Sequence, residues 1–531
     1  MRGTWFLAVV GCVDTLTQAA FEPLDFDITQ ALLANGVDVS SIPALSQYSL
    51  DSGASACEPA CSSLHHLFGG KVSTPNTSTY EAFTQSYWSG QQASVDPHCI
   101  FSPAVARDVS ILVLIARLTR CPFAIKSGGH AAFAGASSIQ GGITVSFKDM
   151  KSIELSEDKS TASIEPGNTW YDVYHTLEPE DLAVIGGRVS AIGVGGLTLG
   201  GGISFFSNEY GWACDNVASF EVVTATGALV TASPSSHADL YWSLRGGGNN
   251  FGIVTKFVLE TISQGLIWGG ARLHVEEQFE AVMDAFYNLG TNSPQDVAAA
   301  QILSFAYVQN TRIASSELEY SKPIANASIF SEYLAIPAIE DGTMIRTLAN
   351  ATLQINTVNP NGLRETYWSV TFKLDRDFTA FTKDVFFEEV LAIADAAAVV
   401  PALTLQVVTL PMLRNFAKNG GNALGLSADD GPLLLLSTAT MWADEADDER
   451  VLEASRKTIE RTVEEGKKRG LSIEYIYMNY ASQFQDVVAS YGSESLARLK
   501  AVAQMYDPTG VFQVLQPGYF KLDGLQPRGV Y

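Results

Sequence analysis

Eight of the seventeen residues from Gly186 to Gly202 are glycine, in the run GGRVSAIGVGGLTLGGG, and no other segment constrains the fold as strongly. Glycine loses more backbone freedom on folding than any other residue, so such density implies that something must approach the main chain closely. Amide groups freed of side chains form concave nests that hold phosphate or lie flat against a ring system. The spacing is neither the dinucleotide fingerprint, since Thr198 stands where the third glycine would be, nor a P-loop, since no Gly-Lys-Ser/Thr occurs. The run points to a nucleotide-type cofactor held by backbone, with plain turn-making as the alternative.

A second segment, Lys126-Ser127-Gly128-Gly129-His130, follows the apolar stretch Phe123 to Lys126 directly. Two glycines expose the histidine, and a basic residue stands four positions earlier. The seven histidines show no H-E-x-x-H and no Cys/His cluster, so no metal site is expected. No G-x-S-x-G elbow is present, which removes the commonest serine hydrolase architecture.

The formal net charge of -24 disfavours nucleic acid and anionic membrane surfaces as partners, and no basic stretch offsets it locally. Residues 1–20 carry Arg2, an apolar run from Trp5 to Val13 and a small-residue end, the layout of a secretory signal peptide. A secreted protein without a membrane helix is expected. Sequons at Asn76, Asn326 and Asn350 suit that compartment as glycosylation sites. Beyond residue 20 the cysteines are Cys57, Cys61, Cys99, Cys121 and Cys214, an odd set that leaves at least one free thiol. The preferred bridge joins Cys61, or Cys57, to Cys99; spacing does not fix connectivity.

Along the chain, residues 21–94 mix Ser, Ala, Gly and Pro and read as an N-terminal arm. Ser102-Pro103 gives a cap and first turn for a helix running to Arg120. Short strands are expected at Phe123 to Lys126, Ile143 to Phe147, Ala162 to Glu165, Ala183 to Ile185, Phe220 to Thr224, Ala228 to Ala232 and Gly252 to Glu260, with a helix carrying Trp170, Val173, Tyr174 and Leu177. From Trp268 the pattern shifts to longer alternating strands and amphipathic helices, including one at 443–470 with acidic residues first and basic residues last. The fold class is α+β, with units at 95–264 and 265–470, a C-terminal segment 471–522 returning to the first, and a tail 523–531.

The runs PFAIKSGGH, GGRVSAIGVGGLTLGGGISFFSNEYGWACDNV and DLYWSLRGGGNNFGIVTKF, with the ending YMNYA…YDPTGVFQ, closely resemble the fungal FAD-linked oxidases of the berberine-bridge-enzyme-like group within the vanillyl-alcohol oxidase superfamily. The resemblance spans roughly residues 57–522. It implies a PCMH-type FAD-binding domain of two α/β subdomains, plus a substrate domain built on an antiparallel sheet covered by helices. It implies FAD linked covalently from its 8α carbon to His130. Lys126, Ser127, Gly128, Gly129, Gly193, Gly195, Gly196, Gly200 and Gly201 fall on the cofactor-binding loops, and Ile253 and Val254 on the NFGIVT strand. Bicovalent members carry a cysteine where Val189 stands, so a second link is not expected. Ile192 holds the position that gates dioxygen in plant relatives, where valine admits it and leucine blocks it.

By the same resemblance, Tyr477, Asn479 and Tyr480 form the catalytic Y-x-N-Y segment. A tyrosine acting as base needs a positive or hydrogen-bonding neighbour to lower its ordinary value near 10. Gln301, Tyr307 and Gln406 are further candidates on strands of the second unit. The expected activity is oxidation of an alcohol, sugar or secondary metabolite by hydride transfer to flavin N5, with dioxygen as acceptor, peroxide as product and a monomer as the working form. A flavin dehydrogenase with another acceptor and a non-catalytic flavin-binding protein are the alternatives.

Overall fold

A computed structural model describes residues 21–46 and 56–524. The expected signal peptide, residues 1–20, and most of the tail lie outside the described residues. Three sheets organise the molecule. The first is four-stranded, in the order Val72–Ser73, Cys99–Phe101, Ile143–Ser146 and Phe123–Lys126. Its last three strands are parallel, while Val72–Ser73 runs antiparallel to Cys99–Phe101. The second sheet is antiparallel and centres on the long strand Ile253–Ser263, which pairs with Thr161–Ile164, Leu182–Val184 and Val217–Val223. The third has nine strands, all antiparallel, drawn from Ile267 to Ile473.

The helix Ala106–Thr119 begins three residues later than the Ser102-Pro103 signal suggests. The carboxylate of Asp108 is the reason. It accepts from the Ala104 amide at 3.0 Å and from Lys71 Nζ at 2.9 Å, leaving Val105 extended at φ -145°. A carboxylate in the first turn offsets the unpaired amides there, so the chain needs no serine cap. The sides of this helix from Val109 to Ala116 are all buried, as expected for an element covered on every face.

Residues 21–46 and 56–94 form more regular structure than their composition implies. The helix Cys57–Phe68 places Cys57 and Cys61 one turn apart, and they form disulfides with Cys121 and Cys99. The Cys61–Cys99 bridge is the preferred one; Cys57 finds Cys121 rather than Cys99, because two residues four apart share one helix face and reach neighbouring parts of the sheet. Cys214 keeps a free, buried thiol.

The nine-stranded sheet divides its residues by alternation. One face carries Leu303, Phe305, Leu318, Leu403, Leu405, Leu434, Leu436 and Phe372 into a core covered by helices. The longest of these helices, Asp448–Lys468, buries Val451, Ala454, Ser455, Thr458, Ile459 and Thr462 at three- and four-residue spacing. The 443–470 expectation thus shortens at its start, where Glu445–Asp447 forms a single 3-10 turn. The opposite face is small and polar. Ser315, Ser304, Thr404, Ser437 and Ser369 stand side by side across five adjacent strands.

This polar face looks toward the glycine-rich loops. The C-terminal residues Tyr475, Tyr477, Met478, Phe520 and Leu522 are buried in one cluster with Trp170, Tyr174 and Trp212 of the first half of the chain. No helix among the described residues is long and apolar enough to cross a membrane.

Candidate functional site

The strand Phe123–Lys126 ends at the edge of its sheet and delivers Ser127, Gly128, Gly129 and His130 into the space between the sheets. Here two backbones cross. A Cβ on Gly128 would lie 2.4 Å from the Gly193 amide nitrogen, and one on Gly193 would lie 2.3 Å from that of Gly128. Only glycine fits either position. Ser127 locks the crossing, because its hydroxyl donates to the Pro166 carbonyl at 2.6 Å and accepts from the Gly195 amide at 3.2 Å. Gly196 faces open space, while Gly200 lies against the Asn479 amide and Gly201 against Trp212 and Tyr477. Ile253 and Val254 open the central strand of the second sheet, both buried.

His130 stands at the edge of this side-chain-poor surface. Its ring stacks on Trp88 at 4.2 Å and 12°. Its Nε2 is sealed from solvent and makes no hydrogen bond, which is costly for a buried polar atom unless a further partner occupies the site. Burial pushes the imidazole down to about 4, so the ring is neutral and nucleophilic at ordinary pH. Lys126 turns the other way. Its ammonium donates to Ser86 and lies over the rings of Tyr87 and Phe83, and burial lowers it to about 8. Trp88 is held by its own amide donating to the Gly129 carbonyl and by Gly362, whose amide donates to Trp88.

The three Y-x-N-Y residues come together here and separate in character. Tyr477 is buried, and its hydroxyl oxygen accepts from the Gly202 amide at 3.2 Å, the Ile203 amide at 3.1 Å and Asn479 Nδ2 at 3.1 Å. Burial raises its phenol well above the usual range. Asn479 also donates to the Leu197 carbonyl, so these two residues pin the glycine-rich turn.

Tyr480 instead meets a positive charge. Arg188 Nη2 donates to its hydroxyl at 2.6 Å and Gln406 Nε2 donates at 3.3 Å, while Arg188 Nη1 donates to Gln406 Oε1 at 2.8 Å. Two fixed donors thus hold the Tyr480 hydroxyl beside the glycine-rich turn, placed to act on a substrate proton. Tyr480 also stacks on Tyr367 at 6.1 Å, and Tyr367 in turn leans on Trp88 at 5.9 Å. An aromatic wall therefore links His130 to Tyr480.

Sequence reasoning missed Trp88, Arg188, Tyr367 and Glu365. Arg188 lies inside the glycine run yet offers no periodic signal, and the other three come from segments far away in the chain. Of the strand candidates, Gln406 reaches the site. Gln301 lines the same recess as Arg188 and Gln406, though its amide is engaged with the Phe286 carbonyl and the Tyr333 hydroxyl, and Tyr307 bonds to Asn310.

A flat heteroaromatic group fits what these residues leave open: an orphaned imidazole nitrogen, a backbone crossing no side chain could share, and clear space over Gly196. The chain matches the FAD binding domain family over residues 97–233. It is 35% identical over 492 residues to the FAD-dependent monooxygenase tpcD of Cochliobolus heterostrophus, covering 88% of this chain and 95% of that protein. A second relative, the FAD-dependent monooxygenase FUP4 of Fusarium proliferatum, is 34% identical with coverage of 88% and 95%. Among solved structures, 6-hydroxy-D-nicotine oxidase from Arthrobacter nicotinovorans has a TM-score of 0.70 at 20% identity, over 84% of this chain and 96% of that one. Berberine bridge enzyme from Eschscholzia californica has a TM-score of 0.69 at 15% identity, over 85% and 97%. These two likenesses speak for the fold.

Proposed function

Since this chain belongs to the berberine-bridge-like group of FAD-dependent oxidoreductases, alongside the fungal FAD-dependent monooxygenases, we propose that it holds FAD covalently through His130 and oxidises a small organic molecule with dioxygen as acceptor. The observation that carries the covalent link is the neutral, half-buried His130 ring with its sealed, unpartnered Nε2. Ser127, Gly128, Gly129, Gly193, Gly195, Gly196, Gly200 and Gly201 would cradle the cofactor, with Ile253 and Val254 behind them. Val189 offers no thiol for a second bond. Bound FAD supplies a two-electron acceptor.

The chain's own task is to hold the substrate and take its proton. Tyr480 is the base in this scheme, its hydroxyl held by Arg188 and Gln406, while Tyr477 and Asn479 keep the Gly200–Ile203 turn in place. The small, polar face of the nine-stranded sheet closes the site opposite the glycine loops. Disulfides at Cys57–Cys121 and Cys61–Cys99 and exposed asparagines at all three sequons support export and glycosylation. A monomer is the proposed working form.

The test of the link is His130→Ala, expected to leave the flavin extractable by acid; yellow fluorescence retained on a denaturing gel would overturn it. For the reaction, turnover of an alcohol, sugar or aromatic metabolite panel should release peroxide. The naming of the relatives as monooxygenases favours one rival, insertion of oxygen into the product, which isotope-labelled dioxygen distinguishes. Ile192, at the plant oxygen-gating position, keeps a dehydrogenase as the other rival. Slow reoxidation of the reduced protein by dioxygen would favour it.

A further inference from the structure

Arg188 is the only cation whose guanidinium touches the Y-x-N-Y segment among the described residues, and it makes no ion pair there. Both of its bonds go to neutral groups, Tyr480 and Gln406. It lines a recess whose other polar side chains, Ser204, Asn208, Gln301, Gln406 and Thr409, are all uncharged, and whose apolar wall includes Ile203, Val408 and Met412. An unpaired guanidinium beside apolar side chains is costly to desolvate without an anion, and in a chain of net charge -24 it is also conspicuous.

The nearest acidic groups do not neutralise it. Glu317 and Glu319 lie two residues apart on one face of the strand Thr311–Tyr320, and neither forms an ion pair. Glu319 is buried beside Glu317, and burial together with the charge of Glu317 raises its carboxyl above the usual range. Burial raises Glu317 as well, against the pull of Arg346 and Arg188, so it is the acid that acts electrostatically on both cations.

We propose that the compound taken by this site carries an anionic oxygen, a carboxylate or an ionised phenol or enol, which docks on Arg188 with its carbon skeleton against Ile203, Val408 and Met412. This rests on the oxidoreductase reading of the same cleft and adds the class of molecule that enters it. The guanidinium presents donors in a planar fork that suits a carboxylate or an enolate better than a neutral hydroxyl.

The test is calorimetric titration of the flavin-loaded protein with benzoate and pentafluorophenolate, against the neutral probe benzamide. Benzoate should bind about ten- to a hundredfold more tightly than benzamide, the range of a charge-assisted hydrogen bond. The pentafluorophenolate arm shows whether a phenolate is accepted as well as a carboxylate. Arg188→Gln should abolish the preference, and Arg188→Lys should keep part of it. Glu317→Gln, which leaves Arg188 in place, should tighten benzoate severalfold and serves as the reading if Arg188→Gln does not fold. Equal affinity for benzoate and benzamide, absence of binding by all probes, or an unchanged benzoate affinity in Glu317→Gln would overturn the proposal. Colourless protein would instead refute the cofactor assignment, so the two failures are distinct.

Discussion

Replacing Glu365 by glutamine should make the protein more stable at alkaline pH and leave it nearly unchanged at acidic pH. Glu365 lies on the strand Arg364–Lys373, two residues before Tyr367 and on the same face. It is 5% exposed, and its Oε1 has no hydrogen-bond partner. Burial alone pushes its carboxyl up to about 9 from an ordinary 4.5. The folded state therefore holds a proton that the unfolded state releases. Stability from this group is complete below the unfolded value and is lost as pH rises toward the folded one. Between about pH 5 and about pH 8 the parent should lose up to about 4 kcal/mol, at about 1.4 kcal/mol per pH unit. Glutamine keeps the shape without the proton and escapes that loss. With an unfolding entropy of about 2.1 cal/mol/K per residue, the variant should melt about 4 °C above the parent at the higher pH. Thermal melts followed by circular dichroism at the two pH values read the difference directly. Melting curves that stay parallel across this range would refute the claim that Glu365 is buried as a neutral acid.

Tyr480→Phe should lower turnover by about 10²- to 10⁴-fold, the usual share of a general base, with the fold intact; a change below threefold would remove Tyr480 from the chemistry. Tyr477→Phe should act on stability instead, at about 1–3 kcal/mol, because the buried Gly202 and Ile203 amides lose their acceptor; chemical denaturation measures it. Cys121→Ser opens a bridge between residues 64 apart and should cost about 2–4 kcal/mol, read as a lower midpoint in urea. Gly128→Ala forces a methyl group to 2.4 Å from the Gly193 nitrogen, so the loops must part and flavin content after purification should fall.

The local parts of this structure were legible from the amino-acid order. Gly186 to Gly202 and the Gly-Gly-His turn announce a backbone cradle because the glycines stand next to one another, and the helix Trp170–Leu177 follows its apolar spacing closely. What escaped depends on distance along the chain. Arg188 and Tyr480 are 292 residues apart, and no periodicity links them. Trp88 belongs to a stretch of Ser, Ala and Gly that reads as an arm, and its order comes from contacts with Gly129 and Gly362 rather than from its own composition. The late start of the helix at Ala106 has the same origin, since Lys71 and Asp108 meet only in the folded chain. The strand candidate Tyr307 does not reach the site because alternation turns it toward the helices, a one-residue matter that registers only once the sheet is paired.

The row of hydroxyls running from Ser315 to Ser369 spans five strands whose reverse sides are all committed to the apolar interior. Exchanging any of these short side chains for a bulkier or greasier one reshapes the chamber while the leucines and phenylalanines behind it stay put. Ligand preference can therefore drift by single substitutions at this row without the scaffold having to re-form, which suits an enzyme lineage that must meet many differently shaped molecules with one architecture.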